Sequence, residues 1–211
     1  MLTLHAAERY FERVLKANVD KDYITNNFYH IGMLIKHAFD KAELIIEETN
    51  LEGNRNKHYL HDNIVFVSDC KGVIVTIYTI NTYAETIAKY MHNIYKLRED
   101  VKVITRETDE VTILLKGYRD ILNANLIRDT SSLERLAEET EALLNKLIIE
   151  KTALEVKLKY TSKALVCGRH HCTNETILEA YKSDLLKNNC LYNFESLKFK
   201  KVSEVILRSR Y

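Results

Sequence analysis

The chain has 211 residues, no proline, five glycines and a formal net charge of +1. Average usage would give roughly ten prolines and about fifteen glycines, so the composition argues against a Gly/Pro-rich linker, a polyproline or collagen segment, a Gly-rich phosphate-binding fold and a turn-rich all-β sandwich. The balanced charge announces neither a nucleic-acid nor a membrane surface; only residues 161–211, with nine basic and five acidic groups, carry an excess.

Residues 5–18 read as a helix. His5, Arg9 and Arg13 fall at i, i+4 and i+8 on one face, and Tyr10, Phe11 and Val14 form an apolar side. The next repeat, Ile24, Phe28, Ile31, Ile35, Ala38, Ala42 and Ile45, alternates steps of four and three and predicts a helix with one buried seam, capped by Asp20 or Asp22. Residues 43–48 fit either its continuation or a strand.

From residue 50 the pattern changes. Asn50-Leu-Glu-Gly-Asn54 is a turn in which Gly53 can take positive φ. Residues 57–61, 63–68 and 73–80 are predicted strands, and Asp69-Cys-Lys-Gly72 closes a hairpin between the last two. Both faces of 73–80 are mostly apolar, which predicts a central strand covered on both sides.

After residue 81 the chain reads as helix. Ile87, Met91, Ile94, Leu97 and Val101 form one stripe; Val111, Leu115, Tyr118, Leu122 and Leu126 form another. Residues 101–107 between them fit a short strand as well as a helix. Ser131-Ser-Leu-Glu134 is a capping box that opens a helix over about 131–165, roughly 50 Å long. Its expected seam runs through Leu133, Leu136, Thr140, Leu143 and Leu147, then shifts phase to Leu154, Leu158 and Leu165. Glu138, Glu139, Glu141, Lys146 and Lys151 make a solvated outer face. Shorter helices are expected at 174–188 and 195–209. No apolar run reaches the ~20 residues of a membrane span, and the first residues lack a signal-peptide core, so the expected location is the cytoplasm.

Two clusters carry chemistry-bearing residues. On the N-terminal helix, one imidazole and two guanidiniums share a face suited to phosphate oxygens. Lys57, His58, Tyr59 and His61 follow in a strand. A metal-independent ribonuclease needs little more than such groups: a His for proton transfer and cations for the phosphorane. The plainer reading pairs the arginines with Glu8, Glu12 or Asp20. The second cluster is Cys167, His170, His171 and Cys172, with Cys190 further on. These are zinc-ligand types, but the second ligand pair of a structural site is missing, so small buried cysteines at a helix–helix turn are the alternative; no metal or cofactor is assigned.

The stretch Leu4-His-Ala-Ala-Glu-Arg-Tyr-Phe-Glu-Arg-Val14 resembles the opening of a family of small phage-encoded proteins that begin His-Ala-x-x-Arg-Tyr-x-x-Arg. Glu43-Leu-Ile45, Ile64-Val-Phe-Val67 and Val73-Ile-Val-Thr-Ile-Tyr-Thr-Ile80 follow in the family's order. That order is also similar to the RelE-type toxin superfamily. The resemblance covers residues 1–80. It implies an α+β domain with a small antiparallel sheet, a strand at 43–48, and His5, Arg9, Arg13 and Tyr78 as the matching site residues. The phage group implies no reaction; the RelE-type group includes ribonucleases.

The expected organisation is therefore a RelE-like α+β domain over 1–80, a helical hairpin or coiled-coil arm over 81–166, and a mildly basic helical tail over 167–211. The expected function is that of a phage-type accessory protein that binds a host protein or protein–nucleic-acid complex in the host cytoplasm, with inhibition of a defence or nucleic-acid enzyme as one outcome. The ribonuclease is the alternative. Pairing with a second copy through 82–165, and nucleic-acid contact through the tail, are further partner expectations.

Overall fold

The computed structural model describes residues 1–49, 53, 55–124, 130–166, 180, 183 and 184. The helix expected at 195–209, that expected at 174–188 apart from residues 180, 183 and 184, and the candidate zinc ligands Cys167, His170, His171, Cys172 and Cys190 lie outside the described residues. The protein is α+β and divides into two compact units, Met1–Met91 with Thr161–Ile177, and His92–Tyr160 with Leu178–Tyr211.

The first unit opens with helix α1 (Leu4–Arg9), whose N-terminus is capped by Thr3: the Ala6 amide donates to its hydroxyl at 3.1 Å. The expected single helix to residue 18 is instead α1 plus one π turn, Tyr10–Val14, in which the Leu15 amide donates to the Tyr10 carbonyl at 3.1 Å. The long seam from Ile24 is likewise two helices, α2 (Lys21–Asn26) and α3 (Phe28–Phe39). Asn27 breaks it: its backbone leaves the helical region and its side-chain amide donates to the Tyr23 carbonyl at 2.9 Å. That local bond competes with the helical ladder. Asp20 caps α2, its carboxylate accepting from the Asp22 amide.

Four strands follow: β1 (Glu43–Thr49), β2 (Arg55–His61), β3 (Ile64–Ser68) and β4 (Ile74–Thr79), in an antiparallel meander of order β1-β2-β3-β4. The 43–48 segment is thus a strand, as the resemblance implies. β4, expected at the centre, is an edge. Short turns between successive strands permit only the sequential order, and two covered faces do not make a strand central. Its open edge is partly occupied by the N-terminus: the Thr3 amide donates to the Ile74 carbonyl and the Ile74 amide to the Met1 carbonyl, both at 3.0 Å. This covers backbone groups that would otherwise template pairing with another chain. In the β3–β4 turn the Asp69 carboxylate accepts from the Lys71 and Val73 amides at 2.9 and 2.8 Å, and Gly72 takes φ +76°, a value that glycine adopts without a Cβ clash.

The pleat sends alternate residues to opposite faces. Phe66 and Ile77 stand opposite each other and face α1, α2 and α3, where Ala6, Ala7, Tyr10, Ile24, Ile31 and Ile35 complete the core. Phe39 closes it, edge-on to Phe66 and Tyr59. Leu60, Val65, Val67 and Tyr78 take the other face.

The second unit is built on two long helices. Helix α4 (Ala84–Asn123), whose first turns to Met91 belong to the first unit, is unbroken through 101–107. The two expected stripes are one. From Ile94, steps of three and four continue through Leu97, Val101, Ile104, Thr108, Val111 and Leu115 to Leu122, and all are buried or half-buried. Thr108 is tolerated in this seam because its hydroxyl donates to the Ile104 carbonyl at 2.6 Å, which satisfies a buried polar group within the helix. Helix α5 (Ser131–Val166) follows Thr130, whose carbonyl accepts from the Glu134 amide at 2.8 Å and whose hydroxyl donates to the Glu134 carboxylate at 2.7 Å. Its inner residues are Leu133, Ala137, Thr140, Leu144 and Leu147, whereas Leu136 and Leu143 are exposed. The true phase sits one residue later at two positions of the expected seam. Beyond Leu147 the buried face shifts to Ala153, Val156 and Tyr160, with Leu154 and Leu158 half-buried beside it, and it ends on buried Leu165. With seven residues between the helices, and Arg119 paired to Glu141 at 2.8 Å, α4 and α5 run antiparallel.

Candidate functional site

His5 and Arg9 lie one turn apart on α1 and come together: the Arg9 Nε donates to His5 Nε2 at 3.5 Å. Both are also held by their own helix, His5 beside Glu8 at 3.9 Å and Arg9 against the Glu12 carboxylate. Arg13 leaves this row. The π turn spreads its residues over a wider loop than an α turn, and the Arg13 guanidinium reaches the Ile77 carbonyl of β4 at 3.5 Å. Tyr78 lies on the opposite face of the sheet, since Ile77 beside it faces α1. The four residues are therefore divided: two on an exposed helix face, one at the helix–sheet junction, one across the sheet.

The strand candidates divide in the same way. Lys57 pairs with Glu47 at 3.0 Å, Tyr59 packs on Phe39, and His61 sits 3.7 Å from Asp62. His58 points to the other face, with Tyr78. There a polar cluster forms that sequence reasoning does not assemble. The Glu48 carboxylate lies 3.1 Å from the Lys163 ammonium of α5 and 3.8 Å from His58 Nε2. The Tyr78 hydroxyl donates to the Val166 carbonyl at 2.7 Å, and its oxygen is 3.4 Å from His58 Nδ1. A carbonyl only accepts, so the single Tyr78 hydrogen is committed to Val166. The Tyr78 oxygen keeps lone pairs that accept from Nδ1 in the tautomer that protonates it, and Nε2 faces Glu48. Burial pushes the His58 pKa below its ordinary value; Glu48 opposes that shift and Lys163 adds to it. The cluster ties the last turn of α5 to the sheet, with the charge of Glu48 balanced by Lys163.

A groove of about 400 Å³ lies where the π turn meets α2. Phe11, Val19 and Ile24 supply its apolar lining, and Glu8, Glu12, Lys16 and Lys21 its charges. Lys21 is 3.4 Å from Glu8. Two carboxylates and two ammoniums leave it without the one-signed field that concentrates a phosphate.

The remaining candidates are apolar surfaces. On α3, Tyr29 (76% exposed), His30, Met33 and Leu34 present an outward face opposite buried Ile31 and Ile35. The α4–α5 hairpin exposes Leu114, Ile121, Leu136 and Leu143. Among the described residues, no helix is long and apolar enough to cross a membrane. Comparison with protein-family models, with curated proteins and with solved structures gives no match.

Proposed function

We propose that the chain is a non-enzymatic, phage-type accessory protein that binds a host protein through the outward face of α3. The observation that carries this reading is the exposure of Tyr29 and Met33, one turn apart, with His30 and Leu34 alongside. A 12-residue helix that buries Ile31 and Ile35 gains, from an aromatic ring and a thioether in water, only the edge-on contact of Tyr29 with His30. Tyr and Met are enriched where proteins meet, and contiguous exposed apolar side chains mark such sites. Inhibition of a defence or nucleic-acid enzyme is one consequence such binding would have.

The test is capture from host extract followed by reconstitution with the purified partner. The Tyr29→Asp/Met33→Asp double variant should keep its helical circular dichroism and lose the complex. Undiminished affinity in that variant would overturn the proposal.

A ribonuclease remains the second reading because His5 and Arg9 meet on an exposed face. It predicts RNA cleavage that disappears in His5→Ala. Such cleavage by the purified protein would displace the binding reading.

A further inference from the structure

We infer that one flank of the α4–α5 hairpin is a docking surface for a second copy of the same chain, which forms a weak two-fold dimer. This goes beyond the function proposed above and uses a different surface. Leu114, Ile121, Leu136 and Leu143 are each 40–48% exposed, and each immediately precedes a seam residue: Leu115, Leu122, Ala137 and Leu144. Arg119 and Glu141 each immediately follow one, Tyr118 and Thr140, and they pair across the hairpin. In an antiparallel helix pair, residues that follow the seam share one flank and residues that precede it share the other. One flank is thus closed by an ion pair and carries Ile148 as its exposed large apolar residue near this level. The other collects four large apolar side chains within two turns either side of Gly117.

Gly117 is the second observation. It lies inside a 40-residue helix, where glycine costs about 1 kcal/mol relative to alanine. A Cβ built there would meet nothing within 4 Å, so the monomer has no steric use for it. A neighbouring helix that crosses at this point would.

The flank is also self-complementary. Gly117, two residues before Arg119, stands level with Leu143, two residues after Glu141. A two-fold axis at this level, perpendicular to the helices, lays α4 against its copy and α5 against its copy, both antiparallel. Leu114, three residues before Gly117, then meets Ile121 of the copy. Leu143, at the level of the axis, packs on Leu143 of the copy. Glu139 meets Lys146 of the copy, opposite charges brought together twice by the symmetry. Glu139 already holds Arg135 at 2.9 Å within its own helix, and that exposed pair leaves its second oxygen available to Lys146.

The flank is about 20 Å long and two helices wide, so each copy covers on the order of 400 Å². That is below the area of stable specific interfaces and suits a reversible association. The experiment is sedimentation velocity of the full chain from about 1 to about 100 μM, the range where so small an interface titrates. The expected result is a monomer–dimer equilibrium that moves with concentration. Leu143→Glu should leave a monomer at every concentration, with an unchanged circular dichroism spectrum. Glu139→Lys and Lys146→Glu should each weaken the dimer, and the double charge reversal should restore it. Gly117→Leu should raise thermal stability at low concentration while it weakens the dimer, opposite signs that a merely structural glycine would not give. A monomer throughout, or a dimer that Leu143→Glu and the charge reversals leave unchanged, overturns the inference.

Discussion

The sheet-bearing unit and the hairpin are ordered in different ways. In the first, Phe66 is enclosed by residues from α1, α2, α3 and β4, so each core side chain answers to several elements far apart in sequence. In the second, every inward residue between Ile94 and Leu122 answers to one seam. A two-dimensional core resists collapse around a deletion, because its walls are fixed by other contacts. A single seam can close partly by a small shift of one helix. The difference teaches where the chain spends its specificity: the polar clusters with long-range partners are on the sheet, whereas the hairpin's surface is repetitive and suited to another helix.

The largest expected effect tests this contrast directly. Phe66→Ala removes a fully buried ring from the centre of the sheet and should cost about 3–5 kcal/mol in denaturant unfolding. Leu115→Ala, buried in the seam of α4, should fall at the low end of the 2–5 kcal/mol known for Leu→Ala. Equal losses would show that the hairpin packs as tightly as the sheet core and would remove the distinction.

The same contrast sets what can be read from sequence. The hairpin was legible because its signal is local: steps of three and four need no partner. The ambiguity at 101–107 came from β-branched Val101, Val103 and Ile104, yet Val103 is exposed while Val101 and Ile104 stay in the seam, which only a helical period allows. Leucine outranks alanine as a core residue, so the sequence points to Leu136 and Leu143 for the seam, although Ala137 is the buried one. In the sheet, the strands and the Asp69–Gly72 turn are legible, but register is not. Without the pairing of His58 with Ile46 and Val67, nothing brings Glu48, His58 and Tyr78 to one face. Lys163 joins them from a helix more than eighty residues further along the chain. The π turn that removes Arg13 from the His5–Arg9 row leaves no mark in residue spacing.

A second, smaller effect is confined to the sheet. The groups that face His58 are Glu48 from β1, Tyr78 from β4 and Lys163 from α5. The folded protein holds the His58 proton more weakly than the unfolded chain does. Above the ordinary His pKa of about 6.5, both states are neutral and His58 adds no pH dependence. As pH falls through that value the unfolded chain takes up the proton first, so stability declines. The decline levels off below the folded-state pKa. His58→Asn, which keeps a donor toward Tyr78 and cannot titrate, should flatten that part of the thermal-stability profile. An unaltered profile would mean that the buried ring does not govern it. The hairpin's inward positions from Ile94 to Leu122 hold no histidine, so seam variants should leave the profile's shape alone.

The smallest effect belongs to the ion-paired flank of the hairpin. Arg119 and Glu141 are both more than half exposed, so solvent screens their attraction. A double-mutant cycle with Arg119→Ala and Glu141→Ala should give a coupling of about 0.2–1 kcal/mol that shrinks with added salt. Its size matters less than its existence. The pair fixes which residues of α4 and α5 stand level, and therefore fixes Gly117 beside Leu143. A measurable coupling supports that register in solution. Zero coupling at low salt would mean that the helices slide, and one residue of slide moves Leu114 and Ile121 out of step with Leu136 and Leu143. The weakest interaction in the comparison is thus the one on which the geometry of the apolar flank depends.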